Sequence, residues 1–164
     1  MDKEKMYKKI FKVIGDLTPL FVDCGQLCSC ACCKGDEKTG MRLFPNEETD
    51  LSVTVIDEKH RLAVCDGTCN RESRPLACRI FPFFPAIDEK GKIQVVLDTR
   101  AQGLCPLLEC AEEPIFDPKF LKAVKKVGKI LKKDEECKEF LVESTEEINI
   151  YKAFLEKKGK KANI

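Results

Sequence analysis

The sequence predicts an α+β fold, in which a small cysteine-rich domain of short strands, hairpins and irregular loops is flanked by an N-terminal helix and C-terminal helices. The length of 164 residues suits a single domain. Of the 11 cysteines, ten lie between Cys24 and Cys110. Apolar residues recur at helical spacing only near the two ends of the chain. We therefore expect one domain over 1–164, with a cysteine-rich core over 18–110 and a helical segment over 115–158.

The N-terminal helix is predicted over residues 3–17. Apolar residues recur there at helical spacing among lysines, and Gly15 lies near the expected end of the helix. The residues that form this apolar face are Met6, Ile10, Val13, Ile14 and Leu17.

Short strands are predicted in the middle of the chain. Residues 41–44 alternate between polar and apolar types, and the β-branched run 51–56 is followed by residues 61–64, with a polar turn between them. This pattern indicates a hairpin that leads directly into Cys65. Three prolines between residues 75 and 85 exclude a long helix there, and residues 92–98 predict another strand.

The C-terminal segment predicts three helices. Asp117 suits an N-cap and Pro118 suits the first helical position, so the first helix is expected over 117–133. A second helix is predicted over 135–142. A third is expected to begin at Ser144 or Thr145 and to run to residue 157.

Charge and hydropathy exclude several classes of function. The net charge is +1 and acidic and basic residues are interspersed, so no basic field attracts nucleic acid. No apolar run of about 18 residues could span a membrane, and the charged N-terminus lacks the apolar core of a signal peptide. We expect a cytoplasmic protein whose thiols stay reduced. The sequence does not predict the oligomeric state.

Eight cysteines form a pattern typical of metal ligands. Reduced thiolates bind zinc and iron, and an odd number of cysteines suits a disulfide framework poorly. We therefore expect a metal to stabilise the domain. The predicted ligands are Cys24, Cys28, Cys32, Cys33, Cys65, Cys69, Cys78 and Cys105.

The spacing of these cysteines constrains the geometry without fixing the number of ions. On a straight helix Cys24 and Cys32 would stand about 12 Å apart, which is too far to share one ion, so this segment is expected to bend. Cys32 and Cys33 are adjacent, and their side chains would point apart in a regular element. They could bind one ion from a loop, bind two ions, or bridge a two-metal cluster. Eight thiolates suit two four-cysteine sites or fewer sites with spare thiols.

Basic residues near the cysteines are candidates for stabilising the thiolates and orienting them. These residues are Lys34, Arg61, Arg71, Arg74 and Arg79.

The remaining polar residues and cysteines near this region have simpler expected roles. Asp23, Asp66 and Asp98 suit turns and caps, and His60, the single histidine, suits a surface turn. Cys30 could substitute for a ligand or act as a redox partner, Cys110 fits the pattern poorly, and Cys137 suits a small apolar helix position.

These motifs resemble the CxxCxxCC (YkgJ-like) family of zinc- or iron-chelating proteins. The resemblance covers about residues 21–108 and lies in the cysteine cluster, residues 40–47, Cys65-x3-Cys69, and the Arg-Pro-x-x-Cys-Arg-x-x-Pro-Phe run over 74–83. The cysteine gaps here are three residues long, where the family motif has two. The resemblance implies cysteine ligands for zinc or iron. Flagellin lysine N-methylase carries a similar motif, so a protein-modifying enzyme or accessory is compatible with it.

Three functions remain open from the sequence. The first is a metal-binding module, with zinc as the preferred ion. The second is an iron or iron–sulfur enzyme that acts on a protein substrate or partner, and the third is a metal carrier.

Overall fold

The computed structural model describes residues 2–33, 40–65, 67, 70–108 and 114–158. Lys34, Asp66, Cys69 and Cys110 lie outside the described residues, and so does the side chain of Cys33. The predicted α+β class is confirmed. The helices are α1 (Lys3–Ile14), α2 (Cys24–Cys28), α3 (Leu76–Ile80), α4 (Pro118–Leu131) and α5 (Glu135–Lys157). The strands are β1 (Met41–Arg42), β2 (Ser52–Val55), β3 (Arg61–Val64), β4 (Phe83–Ile87) and β5 (Ile93–Leu97).

Both ends of α1 follow from local sequence. The Asp2 carboxylate accepts a hydrogen bond from the Lys5 backbone N–H at 3.2 Å, which caps the first turn. Gly15 ends the helix with a positive φ of 48°, which glycine adopts at little cost because it has no side chain. The helix therefore stops before residue 17, the predicted end.

The residues on either side of the turn predicted between 56 and 61 belong to a three-stranded antiparallel sheet. Its strand order is β1-β3-β2, so β3 is hydrogen-bonded on both edges. The predicted hairpin is confirmed as β2 and β3, and Cys65 follows β3 directly.

A second sheet pairs β4 with β5 in an antiparallel arrangement. The strand predicted over 92–98 is β5, whereas its partner β4, which contains Pro85, was not predicted. In a two-stranded sheet both strands are edge strands, where proline is tolerated, and Pro85 pairs with Val95 in this register.

The large hydrophobic core lies among α1, α4, α5 and the β4–β5 sheet. Buried side chains such as Ile10, Val124 and Leu141 meet there, and none of the six predicted ligands whose side chains the structure describes belongs to this core. A separate small cluster joins Cys105 and its neighbours to Cys24. The cysteine region thus has little apolar burial of its own. The members of the small cluster are Leu20, Cys24, Phe81, Ala101, Cys105, Leu107 and Leu108.

The prediction of two helices after residue 134 was wrong, because α5 is one continuous helix of 23 residues. Ser144 and Thr145 suggested an N-cap. Ser144 is instead fully buried inside the helix. The Thr145 hydroxyl donates to the Leu141 carbonyl at 2.6 Å and accepts from the Ile87 backbone N–H at 3.0 Å. The helix therefore continues, since its hydroxyl bonds back within the helix and across to β4.

None of the described helices is both long and apolar enough to cross a lipid bilayer.

Gly128 marks the closest approach of α4 to the second sheet. A Cβ atom at this position would lie 2.6 Å from Pro85 Cβ and 2.8 Å from Ile93 Cγ2. We expect Gly128→Ala to lower the free energy of unfolding by about 1–3 kcal/mol, because strain outweighs the better helix propensity of alanine. Urea unfolding measures this. Lys125→Ala, on the exposed face of α4, is the control and should change stability little. Stabilisation by Gly128→Ala would contradict the observed packing.

Candidate metal centre

Cys24 and Cys28 are the first and last residues of α2. The Asp23 carboxylate caps this short helix by accepting a hydrogen bond from the Gly25 N–H at 3.1 Å, so its predicted capping role is confirmed. Ser29 and Cys30 then adopt positive φ values of 50° and 54°. These two residues turn the chain back, and the Cys30 sulfur lies 3.8 Å from the Gly25 carbonyl oxygen. The predicted bend between Cys24 and Cys32 is therefore confirmed.

The other described candidates come from distant parts of the chain. Cys32 lies in a single 3-10 turn over Ala31–Cys33, and Cys78 is the central residue of α3. Cys105 follows the 3-10 turn Thr99–Ala101, and its N–H donates to the Ala101 carbonyl at 2.8 Å. Cys105 is buried, with 5% of its surface exposed.

These segments enclose a small cavity of about 60 Å³, which we call the cysteine cavity. It brings together five of the predicted ligands, and Cys30 is a sixth cysteine on its wall. Cys65 does not line it. The cysteines that line the cavity are Cys24, Cys28, Cys30, Cys32, Cys78 and Cys105.

Three arginines line the same cavity, namely Arg71, Arg74 and Arg79. Main-chain carbonyls hold two of them in place. Arg71 donates to the carbonyls of Asp16 and Leu17 at 2.7 and 3.2 Å.

Arg79 donates to the carbonyls of Arg74 and Glu72 at 2.8 and 2.6 Å, and its guanidinium lies 4.7 Å from the centre of the Phe11 ring. Burial lowers the pKa of Arg79, with Arg71 acting in the same direction. Fixed positive charge at this wall favours thiolates over thiols.

Arg61, the other described arginine predicted to lie near the cysteines, does not line the cysteine cavity. Its guanidinium reaches back from β3 and donates to the Glu47 carbonyl at 2.8 Å. Arg61 opens β3 and Cys65 follows its last residue, so along an extended strand the two Cα atoms lie about 13 Å apart.

The Cys24 thiol shows how closely the cysteines are grouped. Burial raises its pKa to about 11, and the neighbouring Cys28, Asp23 and Cys105 side chains act in the same direction, whereas Arg74 opposes them. Cys24 is therefore a neutral thiol at neutral pH. A metal that binds there must displace a proton.

The donor set suits a thiophilic ion, but the described sulfur atoms do not converge on one point. Among the described side chains, no group of three or more cysteine, histidine or acidic residues is arranged so that it could hold a metal ion. Coordination by the described cysteines alone would require them to come closer together. Sulfur-rich walls with compensating cations are chemically matched to zinc or iron.

His60 and Cys137 lie away from the cysteine cavity. The prediction of His60 as a surface turn residue was incomplete: its side chain is only 15% exposed, with Nδ1 2.7 Å from Asp57 Oδ2 and Nε2 3.2 Å from Glu143 Oε1 on α5. Cys137 belongs to the large core, where burial raises the pKa of its thiol to about 12, as expected for an apolar helix position.

Sequence reasoning missed Glu47, which positions the helix that carries Cys78. Its side chain is fully buried, and its carboxylate accepts hydrogen bonds from the backbone N–H groups of Phe44 and Leu76. Leu76 is the first residue of α3. Glu47 lies inside the motif that carries the family resemblance, yet the pattern alone gave no reason for a buried carboxylate.

Comparison of the sequence with family models, with curated proteins and with solved structures finds no match. The resemblance to the CxxCxxCC family therefore stays a prediction.

Proposed function

We propose that this chain binds a metal ion through cysteine thiolates, with zinc as the preferred ion and iron as the alternative. The observation that supports this most directly is the cysteine cavity, where six cysteines from separate parts of the chain meet three arginines. These cysteines contribute little to hydrophobic packing, since only a small hydrophobic cluster surrounds them. A reducing cytoplasm would keep the thiols able to bind metal.

Zinc is preferred because the cavity is small and enclosed. Structural zinc sites are typically closed by four thiolate or imidazole ligands, whereas catalytic sites keep an open position. Arg71, Arg74 and Arg79 would balance the negative charge of a tetrathiolate site. The proposed role is therefore structural, with the metal joining α2, α3 and the segment around Cys105.

Metal analysis of protein purified without oxygen tests this proposal. We expect stoichiometric zinc and a colourless solution. A brown protein with charge-transfer absorption would identify iron as the ion on the same thiolates. Protein that retains no metal, even after anaerobic loading with zinc or ferrous iron, would overturn the proposal.

Serine substitutions locate the metal. Cys78→Ser should reduce zinc affinity by more than about tenfold, a loss that even changes to outer contacts of zinc ligands can cause. Cys137→Ala is the matched control, because this cysteine belongs to the large core and does not line the cavity. Equal zinc affinity in both variants would place the metal elsewhere.

A further inference from the structure

Lysines are concentrated on two helices that pack against each other. Together α1 and α4 contain ten lysines and one acidic residue, Glu4. The remainder of the chain has more acidic than basic residues, and α5 alone has seven glutamates and three lysines. The net charge of +1 conceals this separation. The expectation that the chain has no basic field therefore holds for the chain as a whole and fails for this pair of helices.

Contacts at both ends fix how α1 and α4 lie side by side. At one end, Lys3 Nζ on α1 lies 2.6 Å from Asp134 Oδ1, shortly after the end of α4. At the other end, the backbone N–H of Asp117, the N-cap of α4, donates to the carbonyl of Pro19 at 2.9 Å, shortly after the end of α1. The start of α1 is thus beside the end of α4, and the two helices run antiparallel.

Each of these helices exposes a stripe of lysines, and we call the two stripes together the lysine face. Members of a stripe are three or four residues apart, so they lie on one side of the helix. The stripe on α4 extends over about 15 Å. All members are exposed, and apart from Lys5, which pairs with Asp2 at 3.3 Å, none has an ion pair with a described residue. The members are Lys5, Lys9 and Lys12 on α1 and Lys119, Lys122, Lys126 and Lys129 on α4.

This arrangement of charge is unfavourable for the unbound chain. Like charges three or four residues apart on a helix repel each other and destabilise it. A polyanion that lies along the face would remove this repulsion. The lysine face is also separate from the cysteine cavity, which no described lysine lines. A partner of this face is therefore independent of the proposed metal.

We propose that the lysine face binds the phosphate backbone of double-stranded DNA without reading its sequence. A lysine ammonium contacts a phosphate as a point charge. Two stripes that run side by side suit a partner whose negative charge is dense and linear. Duplex DNA carries one charge per about 1.7 Å of its axis, so about 15 Å of duplex presents about nine phosphates.

The composition of the two helices disfavours other partners. Neither α1 nor α4 contains the arginine, asparagine or glutamine side chains that read base edges. No large apolar side chain of either helix is exposed, so the face offers nothing for single-stranded bases to stack on and nothing to insert into lipid. Ammonium groups only donate, so the stripes lack an acceptor for the ribose 2′-hydroxyl by which proteins distinguish RNA from DNA.

Fluorescence anisotropy of a labelled DNA duplex tests this inference on the full chain purified without oxygen. We expect the logarithm of the association constant to fall with the logarithm of salt concentration with a slope of about −4 to −6, as for about four to seven phosphate contacts. A second duplex of the same length and unrelated sequence should bind with the same affinity.

A triple variant, Lys122→Gln with Lys126→Gln and Lys129→Gln, removes three charges from the α4 stripe. Glutamine is as good a helix former as lysine, so α4 should remain folded, which far-ultraviolet dichroism checks. We expect the affinity at about 50 mM salt to fall at least about tenfold, and the salt slope to become shallower by about 3.

The matched control has the same net charge and keeps the lysine face intact. It combines Lys59→Gln, in the turn between β2 and β3, with Lys152→Gln and Lys157→Gln on α5. This variant should bind the duplex as the native chain does. Equal weakening in both triple variants would show that total charge, and not this face, determines binding.

Three further results would overturn the proposal. The first is no binding of the duplex by the native chain at about 50 mM salt, where phosphate contacts are strong. The second is tighter binding to duplex RNA of the same length. The third is tighter binding to phosphatidylserine vesicles at the same concentration of negative charge, which would make the face a membrane contact. None of these results bears on the thiolate site.

Discussion

Removal of the proposed metal should unfold the cysteine region and leave the helical core folded. The small cluster around Cys24 and Cys105 contains only a few apolar side chains, whereas α1, α4, α5 and the second sheet share a large core that includes none of the described predicted ligands. Metal binding contributes about 10–16 kcal/mol in small zinc domains, and this energy is folding energy. The two regions should therefore respond very differently to a chelator.

Hydrogen exchange measured by mass spectrometry resolves the two regions. On chelation, peptides that cover 20–32 and 101–108 should lose at least about 3 kcal/mol of protection, which is more than about 100-fold in exchange rate. Peptides from α4 and α5 should change little. Near-ultraviolet dichroism would report the wrong region, because tryptophan is absent and one of the two tyrosines, Tyr7, lies in the large core.

The Cys78→Ser variant provides the control for this experiment. Its metal affinity is already lowered, so the chelator should cause little further exchange under conditions where the variant holds no metal. Equal protection of 20–32 in loaded and chelated native protein would show that no metal stabilises the cysteine region.

The sequence predicted those helix ends that depend on neighbouring residues. Asp117 caps α4 by accepting from the Lys119 N–H at 2.8 Å, and Pro118 occupies the first turn, as expected. The continuity of α5 was missed because Thr145 bonds to Ile87, a residue of a strand that the sequence did not predict. The information that decided this helix came from a tertiary contact.

The donor types of the candidate site could be predicted, but their grouping could not. Cysteine spacing indicated candidate ligands and a bend between Cys24 and Cys32. The place of Cys30 depends on left-handed backbone at Ser29 and Cys30, and neither residue is the glycine that normally signals this conformation. Which cysteines share a cavity depends on the packing of α3 against β1 and α1, which sequence separation does not reveal.

Glu47 connects the fold to the site, and its substitution should have the second large effect. Its carboxylate accepts from the N–H of Phe44 at 3.1 Å and also from that of Leu76, so it ties the chain after β1 to the start of α3. Glu47→Ala leaves two buried N–H groups without this acceptor. We expect a loss of about 3 kcal/mol or more in the free energy of unfolding, and weaker metal binding because Cys78 lies on α3.

Glu47 should also make stability depend on pH. Burial raises the pKa of its carboxyl from 4.5 to about 7, although the hydrogen bonds from Leu76 and Phe44 and the charges of Arg61 and Arg79 act in the opposite direction. Between these two values the folded state keeps a proton that the unfolded state has lost. Stability from this group therefore falls as pH rises from 4.5 to 7, by about 3 kcal/mol in total.

Glu47→Gln isolates this titration, because glutamine has the same shape and no charge to lose. The variant should be less stable than the native chain at pH 5. Its amide N–H₂ group faces one of the two backbone N–H donors and cannot accept a hydrogen bond from it. The difference should shrink by about 3 kcal/mol between pH 5 and pH 8, as the native carboxylate becomes ionised in its buried position. Urea unfolding of both proteins across this range measures the difference and cancels the titration of all other groups. Parallel curves would show that Glu47 keeps an ordinary pKa, and that its hydrogen bonds and the nearby arginines fully offset its burial.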